Sequence, residues 1–333
     1  MHLKIPKILL LTVLIICLSA FNCFALGEKE QEEIPALDTK GKTEFTISVT
    51  DSLGRGVTLN SIPERIISLS PSTTEILFAV GAGDQVVGVT NRCDFPLEAK
   101  TRNIIGGFSE KTISIEKILF LEADIVFSGG SYQQTIIDAL MQAGIIVYAV
   151  DAQSFTEVYR VIEAIGSLTG HPVKTAEHID YMKGLESQIM QVSALIPEEK
   201  RVRVLWEVWD NPFITAGPGA AIGQVITKAG GINIFQDVEQ DYPVINVEEI
   251  IARNPDVIMG PDNHEEALTL ENIINRTGWD TINAVKEERI YILDGNITSR
   301  PGPRIVNALG LVSRALYPEA FMSVLGESDP VKW

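Results

Sequence analysis

Residues 113–126 read ISIEKILFLEADIV, and residues 245–258 read INVEEIIARNPDVI. Both run Ile, a capping residue, an apolar residue and Glu, with Asp eight residues after that Glu. Ser114 and Asn246 carry the side-chain oxygen that a helix start needs, because the first backbone N–H groups of a helix have no partner within it. Glu116 and Glu248 then fall in the first turn, and Ala123-Asp124 or Pro255-Asp256 ends the short helix. Strands are predicted directly afterwards, over Ile125–Phe127 and Val257–Met259. The same instruction given twice, 132 residues apart, predicts two similar halves.

The likeness continues on either side. Each half opens with an apolar strand, Arg65–Leu69 or Arg203–Trp206, followed by a loop and a helix. Gly81-Ala82-Gly83 and Ala229-Gly230-Gly231 supply the helix C-caps. A further strand comes later in each half, at Ile145–Val150 and Arg289–Leu293. Strands alternating with helices mean a parallel sheet covered by helices, so the fold class is α/β with two Rossmann-like lobes. Between them, Val173, Ala176, Ile179, Met182, Leu185, Ile189, Val192 and Leu195 recur at threes and fours, the period of one helical face. Pro172 sits at the start and Pro197 stops it, which predicts one rigid connector helix roughly 35 Å long. The expected boundaries are a first lobe over 45–168, a connector over 169–197 and a second lobe over 198–333.

The first 25 residues are expected to stand apart from this fold. Lys4 and Lys7 precede an apolar run from Ile8 to Ala20, the pattern of an export signal and too short for a spanning helix. Cys23-Phe24-Ala25 offers small residues for ordinary cleavage after Ala25. Alternatively Cys23 becomes a lipid-modified N-terminus after loss of residues 1–22, behind the loose lipoprotein box Ala20-Phe21-Asn22. Residues 26–44, with Glu28, Glu30, Glu32 and Glu33, are expected to be an acidic solvated tether. Of the cysteines, Cys17 leaves with the signal and Cys93 alone remains in the body, so no disulfide framework is possible there.

The 333 residues carry 27 Lys and Arg against 44 Asp and Glu, a net charge of −17. Loss of Lys4 and Lys7 with the signal takes this to −19. Such a chain has no basic face for nucleic acid. No GxSxG or Walker A lysine motif is present. The run Gly217-Pro218-Gly219-Ala220-Ala221-Ile222-Gly223 has GxGxxxG spacing and is expected to be a turn into a helix starting near Ala220. Four histidines occur. His2 lies in the signal, His171 begins the connector, and His178 is off its apolar stripe and expected at the solvent. His264 sits in a loop after a strand. These do not make a zinc or manganese set, so no metal, cofactor or catalytic residue is expected.

Ligands of open α/β sheets bind beyond the carboxyl ends of the strands. The loops there contain Ser70-Pro71-Ser72, Asn91-Arg92, Gly106-Gly107-Phe108, Ser128 to Tyr132, Trp206 to Trp209, Tyr242 and Ser299-Arg300. Aromatics with a few polar groups and arginine suit a large, flat ligand with anionic edges. Trp206 and Trp209 are also compatible with a core position. Glu75 is expected to complete a capping box, Ser72-Thr73-Thr74-Glu75.

The run RIISLSPSTTEILFAVGAGDQVVGV (65–89), with CDFP (93–96) and the IEKI…ADIV element, resembles the substrate-binding components of ABC importers for vitamin B12, ferric siderophores and haem. The resemblance covers roughly residues 45–320. It implies two α/β lobes joined by a single long helix, with little hinge motion. It also implies that Glu116 and Glu248 dock one on each side into arginines of a membrane permease. Members that bind B12 place a bulky aromatic six residues ahead of the second docking glutamate, where this chain has Tyr242 in place of Trp. On the first lobe the matching aromatic is Phe108, with a stretch before Glu116 two residues longer than the pattern. Arg300 matches a polar loop position of the second lobe. The implied ligand set is Pro71, Arg92, Phe108, Trp209, Tyr242 and Arg300, around a corrinoid, ferric siderophore or haem. The implied protein is an exported, monomeric, non-enzymatic carrier in the periplasm or cell envelope, anchored through Cys23 if lipidated, with an ABC permease of the cytoplasmic membrane as partner. The alternative is an enzyme subunit on the same scaffold acting on a tetrapyrrole or metal cluster, which needs Cys93 or His264 in the cleft.

Overall fold

The computed structural model describes residues 46–262 and 268–325. The export signal, the acidic tether, Cys23 and His264 lie outside the described residues. Twelve strands occur among those described: β1 (Ile47–Thr50), β2 (Gly56–Leu59), β3 (Ile66–Ser68), β4 (Val86–Val89), β5 (Asn103–Ile104), β6 (Ile125–Ser128), β7 (Val147–Ala149), β8 (Arg203–Asp210), β9 (Phe213–Thr215), β10 (Ile232–Asn233), β11 (Val257–Pro261) and β12 (Ile290–Leu293). The first sheet has the order β5-β4-β3-β6-β7 and is parallel throughout. The second has the order β10-β8-β11-β12, also parallel, and β9 adds an antiparallel partner to β8. That antiparallel hairpin is a departure from the purely parallel expectation. A separate β1-β2 hairpin precedes the first sheet.

The repeated element has the same anatomy in both halves. Helices Ile115–Phe120 and Val247–Arg253 are capped by Ser114 Oγ, accepting from the Lys117 N–H at 3.2 Å, and by Asn246 Oδ1, accepting from the Glu249 N–H at 2.7 Å. Both are followed by a non-glycine residue in the left-handed region, Glu122 at φ 47° and Asn254 at φ 42°. The repeated aspartate then ties the new strand to the first strand of its half. Asp124 Oδ2 accepts the Glu64 and Arg65 N–H groups at 2.8 and 2.9 Å, and Asp256 Oδ2 accepts the Arg203 N–H at 3.0 Å. Arg65 and Arg203 donate in turn to the carbonyls of Leu121 and Arg253 near the ends of the two helices. Glu, helix, left-handed residue and Asp thus form a single splice that sets β6 beside β3 and β11 beside β8.

Strand residues alternate between two layers, as a period of two demands when both sheet faces are covered. Ile66, Ile125, Val204 and Val257 enter one apolar cluster, while Ile67 and Val126 enter a second and Leu205 and Ile258 a third. The first cluster is shared by both halves and by the long helix Pro172–Ser193, through Ile179, Met182 and Ile189. Full burial of each such side chain contributes roughly 1.5–3 kcal/mol. The described residues belong to one compact unit.

The apolar stripe of the long helix is only partly buried. Val173 and Leu195, at its two ends, are 73% and 82% exposed, because they lie outside the buried span from Thr175 to Ser193. Thr175 and Ser193 are buried in their stead, and a Cβ on the neighbouring Gly166 would stand 1.9 Å from Thr175 Oγ1. His178 also departs from expectation. It is not at the solvent but half-buried beside Tyr181, and burial followed by the Lys174 charge pushes its imidazole down to about 4.

Candidate functional site

A cavity of about 430 Å³ opens at the carboxyl ends of β3, β6 and β7. Loops 70–72, 129–132 and 150–153 form the first-half wall, and residues 296–301 from the second half face them. It brings together four of the predicted residues, Pro71, Arg92, Phe108 and Arg300. Trp209 and Tyr242 are not in its lining. Trp209 is 44% exposed near the β8-β9 turn, where its Nε1 donates to the Asn211 carbonyl at 2.9 Å, whereas Trp206 is core. Burial, then Asp241, then Asp151 push the Tyr242 hydroxyl up.

A residue that sequence reasoning missed organises the first-half wall. Gln133 is fully buried and joins three loops with one amide. Its Oε1 accepts from the Gly129 N–H at 2.7 Å, and its Nε2 donates to the carbonyls of Leu69 at 3.2 Å and Phe108 at 3.1 Å. Tyr132 stacks tilted on Phe108 with ring centroids 5.1 Å apart, giving the cavity a paired aromatic surface. Gly129 is what permits this, since a Cβ there would stand 1.8 Å from Tyr132 Oη. Burial pushes the Tyr132 hydroxyl well up, so it remains protonated and able to donate. Asp151, Gln153 and Asn296 complete the polar lining. Asp151 was within reach of the sequence argument, being the first residue after the predicted strand Ile145–Val150. Gln133, one residue beyond the loop read over Ser128 to Tyr132, gave no such signal.

Arg300 is held by carboxylates of the first half. Its Nη1 is 2.6 Å from Asp94 Oδ1 and 3.2 Å from Glu75 Oε1. Arg304 meets the same Glu75 bidentately, at 2.8 and 2.6 Å, with its guanidinium 4.2 Å above the Phe95 ring. Glu75 therefore does not complete a capping box. The cap position of its helix is Ser70, which makes no side-chain cap, and Glu75 is turned inward to 2% exposure against two arginines. Burial, opposed by Arg304 and Arg300, leaves its carboxyl above the ordinary value. Asp94 shows the opposite balance: burial raises it, but the Arg300 hydrogen bond and charge bring it below the ordinary value.

Glu116 and Glu248 are both exposed and both lie in first turns. Hydrogen bonds from its own N–H and from Ser114 Oγ lower the Glu116 carboxyl. Phe120, one turn on, is 85% exposed. The glycine run 217–223 leads into a helix at Ala221–Lys228 with Ala220 at the cap. Cys93 is 3% exposed, 3.2 Å from Thr90 Oγ1 and outside the cavity lining. Among the described residues no group of three His, Cys, Asp or Glu is placed to hold a metal ion.

A cleft of aromatic, hydroxyl and amide groups at the strand ends of an α/β scaffold defines a small-molecule binding protein. The chain belongs to the periplasmic binding protein family, whose model matches residues 66–297. It is 33% identical over 288 residues to the uncharacterised ABC transporter substrate-binding lipoprotein YvrC of Bacillus subtilis, covering 85% of this chain and 89% of that one. It is 30% identical over 251 residues to a vitamin B12-binding protein of Vibrio cholerae, covering 74% and 86%. Among solved structures, a possible iron-binding periplasmic solute-binding protein of Staphylococcus epidermidis superposes with a TM-score of 0.68 at 32% identity, over 77% of this chain and 100% of the other.

Proposed function

We propose that this protein is the substrate-binding component of an ABC importer, carrying a metal chelate of the corrinoid, ferric-siderophore or haem type in the cavity between residues 70–72 and 296–301. The observation that carries the reading is the convergence of Pro71, Arg92, Phe108 and Arg300 on one cavity from separate loops of both halves. The two sheets are the cores of two lobes, 45–168 and 198–333, with 169–197 as the connector. The shared apolar cluster along the long helix favours small hinge motion over wide closure. The family's description as periplasmic and the name of one relative as a lipoprotein support a chain exported to the periplasm or cell envelope, and Cys23 is then the residue that would bear the lipid. Binding and release as a monomer need no covalent chemistry. The enzyme alternative needs Cys93 or His264 in the cleft; His264 lies outside the described residues, and the burial of the Cys93 thiol beside Thr90 gives it no support.

Glu116 and Glu248 dock onto the permease, each at the head of the repeated helix of its lobe. Their equivalence through the repeated cap, turn and aspartate supports a shared role, and the charges would set register and encounter rate. Glu116→Arg combined with Glu248→Arg is the test. Uptake of chelate into cells should stop while affinity of the purified protein stays unchanged. Undiminished uptake by the double variant would refute the docking assignment.

A further inference from the structure

On the reading of the cavity as the ligand site, we propose that Asp151 is a specificity residue that rejects chelates presenting anionic groups to the first-half wall, so the cleft selects an electroneutral, amide-rimmed chelate. Asp151 follows β7 directly, lines the cavity and is partly exposed to it. Its carboxylate accepts from neutral donors, Gln153 Nε2 at 2.6 Å and Ser131 Oγ at 3.3 Å, which leave its charge uncancelled. Gly130, at φ +92°, lies so close that a Cβ there would stand 2.6 Å from Asp151 Cβ, so the side chain occupies its place only beside a glycine.

The arginine that the second half contributes to the same lining, Arg300, does not offset it. Arg300 is engaged by Asp94 at 2.6 Å and Glu75 at 3.2 Å, so an anionic ligand would have to compete with two carboxylates already in place. Arg304 is likewise taken by Glu75. Arg92 stands in the lining against this, and its carbonyl accepts from Arg300 at 3.4 Å. The chain as a whole, at −17, adds to the same bias. A unit negative charge within about 10 Å of Asp151 is disfavoured by roughly an order of magnitude in affinity, at an effective dielectric constant of about 20. Electroneutral amide arms instead find an acceptor in Asp151 and partners in Gln153 and Asn296.

The test compares cyanocobalamin, an electroneutral corrinoid with amide arms, with haemin, which carries propionates, on the mature protein by calorimetry. Wild-type protein should bind cyanocobalamin at least about tenfold more tightly than haemin. Asp151→Asn should narrow that ratio about tenfold by strengthening haemin binding, while Asp151→Glu, which keeps the charge, should preserve it. Tighter haemin than cyanocobalamin binding by the wild type, or an Asn variant with an unchanged ratio, would overturn the inference and leave the carrier reading intact. Saturable binding of neither probe, nor of any ferric siderophore, would overturn both. Binding of an anionic siderophore alone, with no neutral chelate bound, would overturn only the inference.

Discussion

Replacing Glu75 by Gln removes the only carboxylate that Arg304 meets bidentately, at 2.8 and 2.6 Å among the contacts described above. Arg304 has a side chain 5% exposed, and Glu75 1%, so water cannot take the carboxylate's place. A buried charge stripped of its partner costs about 3–5 kcal/mol. Arg304 keeps a hydrogen bond to the Asn296 carbonyl at 3.0 Å and its stack on Phe95, which places the expected loss at the lower end, about 3 kcal/mol. Arg300 retains Asp94, so its share of the loss is small. Urea denaturation of Glu75→Gln against wild type reads the difference from the shift in midpoint at constant slope. Adding Arg304→Met to Glu75→Gln should recover a large part of the loss, because the double variant no longer leaves a charge buried. A loss below about 1 kcal/mol, with no recovery in the double variant, would refute the reading of Glu75 as the partner that the buried Arg304 charge requires.

Three other outcomes follow from single contacts. Gln133→Leu should lower stability by about 1–3 kcal/mol, because the Gly129 N–H and two carbonyls lose their partner, and it should weaken chelate binding by loosening the Phe108 loop; an unchanged denaturation midpoint would contradict this. The imidazole of His178 is lowered from 6.5 to about 4, so between those values the unfolded chain binds a proton that the folded one does not. Stability attributable to it is complete above pH 6.5 and falls as the pH drops towards 4, by at most about 3 kcal/mol; His178→Phe should flatten that slope, and an identical slope would refute the assignment. Cys23→Ala should move the protein from the membrane to the soluble fraction of expressing cells, and unaltered partitioning would favour cleavage after Ala25.

The repeat made the scaffold readable because its signals are local. Ser114 and Asn246 cap, Asp124 and Asp256 splice, and strand alternation sorts Ile66 from Ile67 without reference to anything distant. The cavity was readable in part by the strand-end rule, which found Pro71, Arg92, Phe108 and Arg300 and stopped short of Asp151 and Asn296. What escaped was set by long-range pairing. Glu75 has a capping-box spacing, and only the arrival of Arg304, 229 positions later, turns it inward. His178 lies off a stripe defined by its own helix, and only the packed elements decide whether that face meets solvent. Val173 and Leu195 keep the helical period past the end of the surface that the period is meant to bury.

The central claim is that a chelate occupies the cavity at the strand ends. Tryptophan fluorescence of the mature protein, titrated separately with cyanocobalamin, haemin and a ferric-siderophore panel, tests it most directly once inner-filter absorption is corrected. Saturable quenching by one class below micromolar concentration, weakened at least tenfold by Phe108→Ala and Tyr132→Ala, is the expected result. Saturable binding that both substitutions leave untouched would place the ligand elsewhere and contradict the account.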